Sequence, residues 1–311
     1  MKKRHVFALF LLLLLILNYG LSRIGSEIPI SGDKLTLLNR PAVATQRDVQ
    51  VYKIDTGFAE TLEAFVLSGG SFFKLQKAAH MAALVLHPRG NLLIDTGLGK
   101  DIDSQFAEFP WWAKPLFQYS KRKSAKQTLD EKKIPVSRIL LTHLHWDHAS
   151  GLKDFPDSAI YTTRKEFEFA ESVDAKAPAY IKSQYDGKEI QWNMIEFNSG
   201  AYEIFSESHD LYADASVVVV PLPGHTPGSI GIFVNLSPKE RYFFVGDLVW
   251  SARALQKPAA KHYISSTIVD FDQQLIYKQI VKIHEFLKER PEIHVIPTHD
   301  PEAFSSIQAI P

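Results

Sequence analysis

Thr142-His143-Leu144-His145-Trp146-Asp147-His148 stands directly behind the apolar run Ile139-Leu140-Leu141, and its reading decides the fold. Residues two apart on a strand face the same way, so His143 and His145 point together into one site. A turn then brings Asp147 and His148 round to a neighbouring position. Neutral imidazoles and carboxylates are the ligands that zinc takes when no thiolate is at hand. None is at hand here, because the 311-residue chain has no cysteine. That absence excludes disulfides, thiolate metal sites, iron–sulfur clusters and cysteine nucleophiles together.

The pattern of an apolar strand, a loop and then a ligand recurs downstream. His225 lies in Pro221-Leu222-Pro223-Gly224-His225-Thr226-Pro227-Gly228, immediately after Val217 to Val220, in a loop that its prolines and glycines make sharp and rigid. Asp247 follows the strand Tyr242 to Val245, and His299 follows Ile293 to Ile296. Any one of these alone would be a turn or cap residue; the recurrence is the signal. Further strands are predicted at Val49 to Ile54, Ala82 to His87, Asn91 to Ile94, Arg138 to Leu141, Ile160 to Thr162 and Ile230 to Val234. Pro88-Arg89-Gly90 forms a hairpin turn between the second and third of these. A helix is predicted over Phe271 to Lys288, with Leu275, Ile276, Val281, Ile283, Phe286 and Leu287 opposite Lys278, Lys282 and Glu285. Strands in both halves with helices between them imply sheets covered by outer helices.

Lys plus Arg and Asp plus Glu each total 35, so the formal net charge is zero and no basic field is available to hold nucleic acid. At the N-terminus, Lys2-Lys3-Arg4 precedes the unbroken apolar run Val6 to Leu17. Twelve residues of helix reach about 18 Å, short of a hydrocarbon core of roughly 30 Å. Residues 1–24 are therefore read as a signal peptide or membrane anchor, with small Gly20 and Ser22 near its end. Residues 25–47 are read as a tether and 48–311 as one domain. The expected location is exported: periplasmic, or held at the membrane by the N-terminus. Membrane contact would come through that segment if it is not cleaved.

The set His143-x-His145-x-Asp147-His148, His225, Asp247 and His299 resembles the metallo-β-lactamase superfamily of metal hydrolases. The Gly-His-Thr-Pro-Gly element and the 22-residue step from His225 to Asp247 are similar to those of N-acyl homoserine lactonases. The resemblance covers about residues 50–300. It implies an α/β fold, a four-layer αββα sandwich with the metals at one edge of its two sheets. His143, His145 and His225 would hold one Zn²⁺, and Asp147, His148 and His299 the second, with Asp247 bridging. Iron or manganese suits the same ligands. Asp95, in Leu93-Ile94-Asp95-Thr96-Gly97, matches the family's buried aspartate behind the site. Branches that need a cysteine ligand are excluded, as are flavo-diiron reductases, which carry Glu where His145 stands. Homoserine lactonases have a Tyr three residues after the bridging Asp; here it is Trp250, which removes a hydroxyl donor.

The expectation that follows is a dinuclear zinc hydrolase of an ester, a lactone or a related small carbonyl substrate. A metal-bridging hydroxide would attack, and Asp247 and Asp147 would be the catalytic carboxylates, Asp147 as proton relay. The alternatives are a glyoxalase II-like thioesterase or phosphodiesterase, and a metal-binding scaffold without turnover. Trp111 and Trp112 in the aromatic stretch Phe106 to Phe117 are candidates for a substrate pocket or a membrane surface, and Trp250, His262 and Tyr263 are candidates for the pocket. Residues 164–200, with Tyr180, Tyr185 and Trp192, are read as an insertion over the site. His80, His87, His209, His284 and His294 are read as surface or packing residues. The sequence leaves the oligomeric state open.

Overall fold

A computed structural model describes residues 2–30, 36–39, 41, 43–46, 48–172 and 179–311. Among the described residues, twelve strands form two sheets. They are β1 (Gln50–Leu62), β2 (Leu75–Leu86), β3 (Leu92–Ile94), β4 (Ser120–Lys121), β5 (Arg138–Leu140), β6 (Ala159–Thr163), β7 (Gln191–Ile195), β8 (His209–Asp210), β9 (Val217–Pro221), β10 (Ile230–Ser237), β11 (Glu240–Gly246) and β12 (Ile293–Pro297). The first sheet runs β4-β1-β2-β3-β5-β6-β7 and the second β12-β11-β10-β9-β8. Each strand expected from the sequence is present, and Pro88-Arg89-Gly90 joins β2 to β3 with Ala83 opposite Ile94.

The sheets face one another across Val85, Ile94 and Leu140 on one side and Val219, Ile232 and Phe244 on the other. Alternate residues of the same strands point outward. Leu84, Leu93 and Ile139 pack beneath Ala125 and Leu129 of the helix Ala125–Glu131. Phe233 and Phe243 pack beneath Ile276, Ile280, Ile283 and Phe286 of the helix Gln273–Glu289. The result is helix, sheet, sheet, helix. The predicted helix over 271–288 is this last one, capped by the Asp272 carboxylate, which accepts from the Leu275 N–H.

Strand direction positions the site. β3, β5, β6 and β7 are parallel neighbours, and β2 is antiparallel to β3. The start of β2 therefore lies at the same edge as the ends of β3, β5 and β6. In the second sheet β10 is antiparallel to both β9 and β11, and β12 is parallel to β11, so β9, β11 and β12 all end together. The Ile230 N–H donates to the Thr142 carbonyl at 3.0 Å and joins the two edges.

Residues 164–200 are not an insertion. They carry the helix Arg164–Glu171, a short turn of helix at Lys182–Tyr185, and β7, which closes the first sheet beside β6. Tyr185 is buried in the core and Trp192 packs on Phe167, so these two aromatics serve the sheet, whereas Tyr180 lies edge-on to His145 and Ala179 beside it lines the cavity, as a cover over the site would. Residues 173–178 of that stretch, and 31–35, 40, 42 and 47 of the expected tether, lie outside the described residues. The described parts of 25–47 run along the domain. The Ile28 N–H donates to the Pro258 carbonyl, the Leu38 N–H to Glu203 and the Gln46 N–H to Leu236. The N-terminal segment is a helix, Lys2–Arg23. No helix among the described residues is long and apolar enough to cross a membrane, so a spanning anchor gains no support.

Phe233 and Phe243 stack face to face at 4.0 Å, both fully buried, at the centre of the second sheet's outer face. Phe243→Ala should lower unfolding free energy by about 3–5 kcal/mol, measured by urea denaturation, with the fold retained by circular dichroism.

Candidate metal centre

The loop after β5 delivers four ligand-type side chains in two ways. His143 and His145 are in extended backbone, and the turn of helix Trp146–Ala149 carries Asp147 and His148. All four are buried. His225 comes from the loop after β9, Asp247 from the end of β11 and His299 from the end of β12. Gly246 makes the turn from β11 into Asp247 possible. Its φ of +51° lies in the left-handed region, and a Cβ there would stand 3.0 Å from Thr142 Oγ1.

Among the described residues, three groups have mutually close ligand atoms: His143, His145 and His225; His143, His148 and Asp247, which share His143 with the first; and His80, Asp147 and His299. His225 Nε2 lies 3.2 Å from His143 Nε2 and 2.9 Å from His145 Nδ1. His299 Nε2 lies 3.0 Å from Asp247 Oδ2 and 3.3 Å from Asp147 Oδ2. Asp247 reaches both sides, with Oδ1 3.2 Å from His148 Nε2 and Oδ2 3.6 Å from His225 Nε2. Tetrahedral ligands at 2.0–2.1 Å from a cation stand about 3.3 Å apart, so these spacings suit a coordination shell.

The donor chemistry fits a metal as well. Burial first, and neighbouring imidazoles second, push His143 and His145 well below the ordinary histidine range. Burial and then the charge of Lys261 lower His225. Three neutral nitrogens thus converge with lone pairs facing. His148 Nε2 and Asp247 Oδ1 are buried 3.2 Å apart without hydrogen-bond geometry to any group, so each relies chiefly on the other's charge to offset its burial. Burial opposes charge at Asp247, but His299 and His148 overcome it and hold the carboxylate well below its usual range. Among the described residues, His143, His145 and His225 could hold one cation, and His80, Asp147 and His299, or His143, His148 and Asp247, could hold another beside it.

Buried carboxylates hold the ligands from behind. Asp95, at the end of β3 with a φ of +53°, accepts from the Thr142 N–H at 2.7 Å, the Thr142 hydroxyl at 2.8 Å and His148 Nδ1 at 2.8 Å. Asp270 accepts from His225 Nδ1 at 2.7 Å, the Ser266 hydroxyl at 2.5 Å and Lys261 Nζ at 2.6 Å. Each therefore fixes which ring nitrogen is left for a metal. Glu166 ties two loops together. Its Oε1 accepts from the Leu144 N–H and the Tyr180 hydroxyl, and its Oε2 from the Thr226 hydroxyl and the Gly228 N–H. Burial raises the Glu166 carboxyl above its usual range. Gly228 is obligatory, because a Cβ there would lie 2.2 Å from the Glu166 backbone nitrogen.

His80 corrects the sequence reading. It is neither a surface residue nor mere packing, since its Nδ1 lies 3.0 Å from Asp147 Oδ2 and its ring lies edge-on to Trp146 and His299. It faces a register shift in β1, between Asp55 and Gly57, and a bulge of this kind re-aims side chains. The carboxylate can only accept, so Nδ1 carries the proton and Nε2 is a bare, buried, unpartnered acceptor. The neighbouring Ala79 carbonyl accepts from His299 Nδ1 at 2.7 Å, so two successive residues of β2 orient two of the candidate ligands.

The centre opens on a cavity of about 320 Å³. His80, His145, Asp147, His225, Asp247, Trp250 and His299 form its floor. Phe65, Leu116, Phe117, Ile264, Ile268 and Val269 form apolar walls. Trp250 is the one sequence-selected pocket residue on this lining. Its indole N–H donates to Asp247 Oδ2 at 2.8 Å, so the donor is turned to the carboxylate rather than outward. Trp111 and Trp112 are exposed and outside the lining. Phe109, Ala113 and Phe117 from the same stretch pack with Trp146. His262 is buried against Phe65 and Phe72, where its ring accepts from the Ile264 N–H, and Tyr263 lies on the surface. The other histidines read as packing lie away from the lining, with His87 paired to Asp214 and His284 bonded to the Leu255 carbonyl.

The family model described as the metallo-beta-lactamase superfamily matches residues 78–275. The chain belongs to that superfamily. It is a hydrolase of this family. The N-acyl homoserine lactonase AttM of Azorhizobium caulinodans is 24% identical over 237 residues, 73% of this chain and 84% of that protein. An N-acyl homoserine lactone hydrolase solved with N-hexanoyl-L-homoserine at its catalytic metal centre superposes with a TM-score of 0.64 at 20% identity. It covers 87% of this chain and 99% of its own. The dizinc lactonase AidC superposes at 0.56 and 18% identity, covering 87% and 92%. At these identities the superpositions speak to the superfamily's fold.

Asp270→Ala should leave His225 without its orienting partner and weaken metal binding about 10–100-fold, read by competition with a chromogenic chelator. His80→Ala should loosen the Asp147 and His299 side selectively, leaving half of the bound metal tightly held in the same titration.

Proposed function

We propose that the chain is an exported, dinuclear zinc hydrolase that opens a lactone or cleaves a related small ester, with an N-acyl homoserine lactone as the leading substrate class. The observation that carries this reading is the continuity of the metal centre with an apolar cavity. Ligand-type side chains form the floor, and the walls suit an aliphatic or aryl group attached beside the scissile carbonyl. Two divalent cations at such a centre supply Lewis acidity and hydroxide at neutral pH.

The remaining roles fall to the chain's own side chains. Asp247 joins the two ligand groups, and Trp250 holds its Oδ2. Asp147 lies on the cavity floor with Oδ2 fixed by His80, placed to carry a proton to the departing alkoxide. Phe65, Leu116 and Phe117 exclude water from the acyl side. The Tyr hydroxyl of homoserine lactonases has no counterpart at Trp250, so substrate orientation rests on the shape of the apolar walls. No lysine or arginine appears among the described residues that line the cavity, which weighs against the phosphodiesterase alternative, whose substrate is an anion.

The basic start and apolar run of residues 1–24 support export, as a signal peptide or an anchor at the membrane. Fractionation of cells expressing the full chain tests this, with recovery in the cytosol as the opposing result.

Purified full-length protein reconstituted with zinc should hydrolyse an N-acyl homoserine lactone or an aryl ester faster than a thioester or a phosphodiester, followed by proton release. A preference for the phosphodiester would overturn the assignment. His145→Ala and Asp247→Ala should each lose bound zinc by elemental analysis and reduce turnover at least about a thousandfold.

A further inference from the structure

We propose that the mouth of this cavity is a lipid-facing surface, laid against an anionic membrane so that substrates with apolar tails enter from the bilayer. The surface stands on its own observations; only the delivery of substrate rests on the hydrolase reading above.

The rim is apolar on both sides. Leu116 and Ile264 line the cavity and are also exposed, Leu116 at 62%. Next to Leu116 along the chain, Trp112 is exposed and Trp111 is 83% exposed. At the end of the β1–β2 hairpin, Leu75 is 70% and Phe73 is 99% exposed. Leu75 is opposite Leu62, whose neighbour Thr61 lines the cavity. Trp is the side chain favoured where an apolar body meets a wet boundary.

The helix Lys2–Arg23 is rooted behind the cavity wall, in segments that also supply part of that wall. The Gly69 N–H donates to the Ser22 carbonyl, the Ser68 hydroxyl to Ile24, and the Ala260 N–H to Gly25. The segments that receive it also carry Phe65, Ile264 and Ile268 of the cavity wall. Phe10 to Leu17 are exposed without a break. Eight consecutive residues cover more than two turns, so every face of the helix is bare. A second copy or a groove would cover one stripe and leave the others polar. A lipid phase covers all faces alike. Laid along one leaflet beneath the headgroups, the twelve-residue apolar run keeps the cations that flank it at both ends within reach of the lipid headgroups rather than in the hydrocarbon. Residues 1–26 contain Lys2, Lys3, Arg4 and Arg23 and no acidic residue, which selects an anionic surface.

The test uses the full zinc-loaded chain with vesicles of phosphatidylcholine, alone or containing phosphatidylglycerol. The chain should sediment with the anionic vesicles, and brominated lipids should quench its tryptophan emission. The double variant Trp111→Ser/Trp112→Ser should lose most of that quenching. It should turn over a vesicle-borne long-acyl substrate about tenfold more slowly, while keeping the parent's rate on a short soluble ester. A second variant, Phe73→Ser/Leu75→Ser, should behave the same way if the first proves unstable. The proposal is overturned if the parent stays in the supernatant, if it self-associates instead of binding lipid, or if neither variant alters quenching. Lipid binding without hydrolysis of any substrate would leave the surface standing and remove the hydrolase reading instead.

Discussion

Seven imidazole and carboxylate side chains are held out of water within a few ångströms of one another, and the rest of the molecule exists to make that tolerable. His225 Nε2, left bare because Nδ1 donates to Asp270, meets the ring nitrogens of His143 and His145 at 2.9–3.2 Å, a convergence that suits a shared cation. The fold meets the problem by giving the far side of key rings a buried acceptor: Asp95 behind His148, Asp270 behind His225, the Ala79 carbonyl behind His299. Each ring is then locked in orientation and tautomer before any metal arrives, which is the condition for tight coordination. Lys261, fully buried against Asp270, supplies the countercharge that lets that carboxylate stay ionised in the core.

Strand polarity does the gathering. In each sheet the ligand-bearing strands end at one edge, and hydrophobic burial between the sheets brings the two edges together. Glu166 then fastens the loop of His143 to His148 to the loop of His225 through three hydrogen bonds, to Leu144, Thr226 and Gly228. Neither loop has much regular structure of its own, so their mutual placement depends on this one buried carboxyl.

The candidate ligands were legible in the sequence because each follows an apolar strand, and an apolar run followed by His or Asp is a local pattern. The supports were not, because their significance is non-local. His80 lies inside a strand, and only the bulge opposite it in β1 turns it to Asp147. Glu166 sits among Arg164, Lys165 and Glu168 and reads as one more charge on a solvated helix. Asp270 and Lys261 acquire meaning only when their loops fold beneath His225. The stretch 164–200 was misread for a related reason: the polar, interrupted sequence around β7 lacks the apolar continuity of the inner strands, as an edge position permits. The aromatic run Phe106 to Phe117 divides in the structure, part packed on Trp146 and part left bare, a split that composition alone does not reveal.

The position of Asp247 carries a thermodynamic consequence. Its Oδ1 lies against His148 and its Oδ2 between His299 and His225, and Trp250 restrains the carboxylate there. Occupation of either side must fix the rotamer that the other side needs, removing an entropic penalty from the later event. Loading of the pair is thereby linked, and linkage of this kind is reciprocal whichever position fills first.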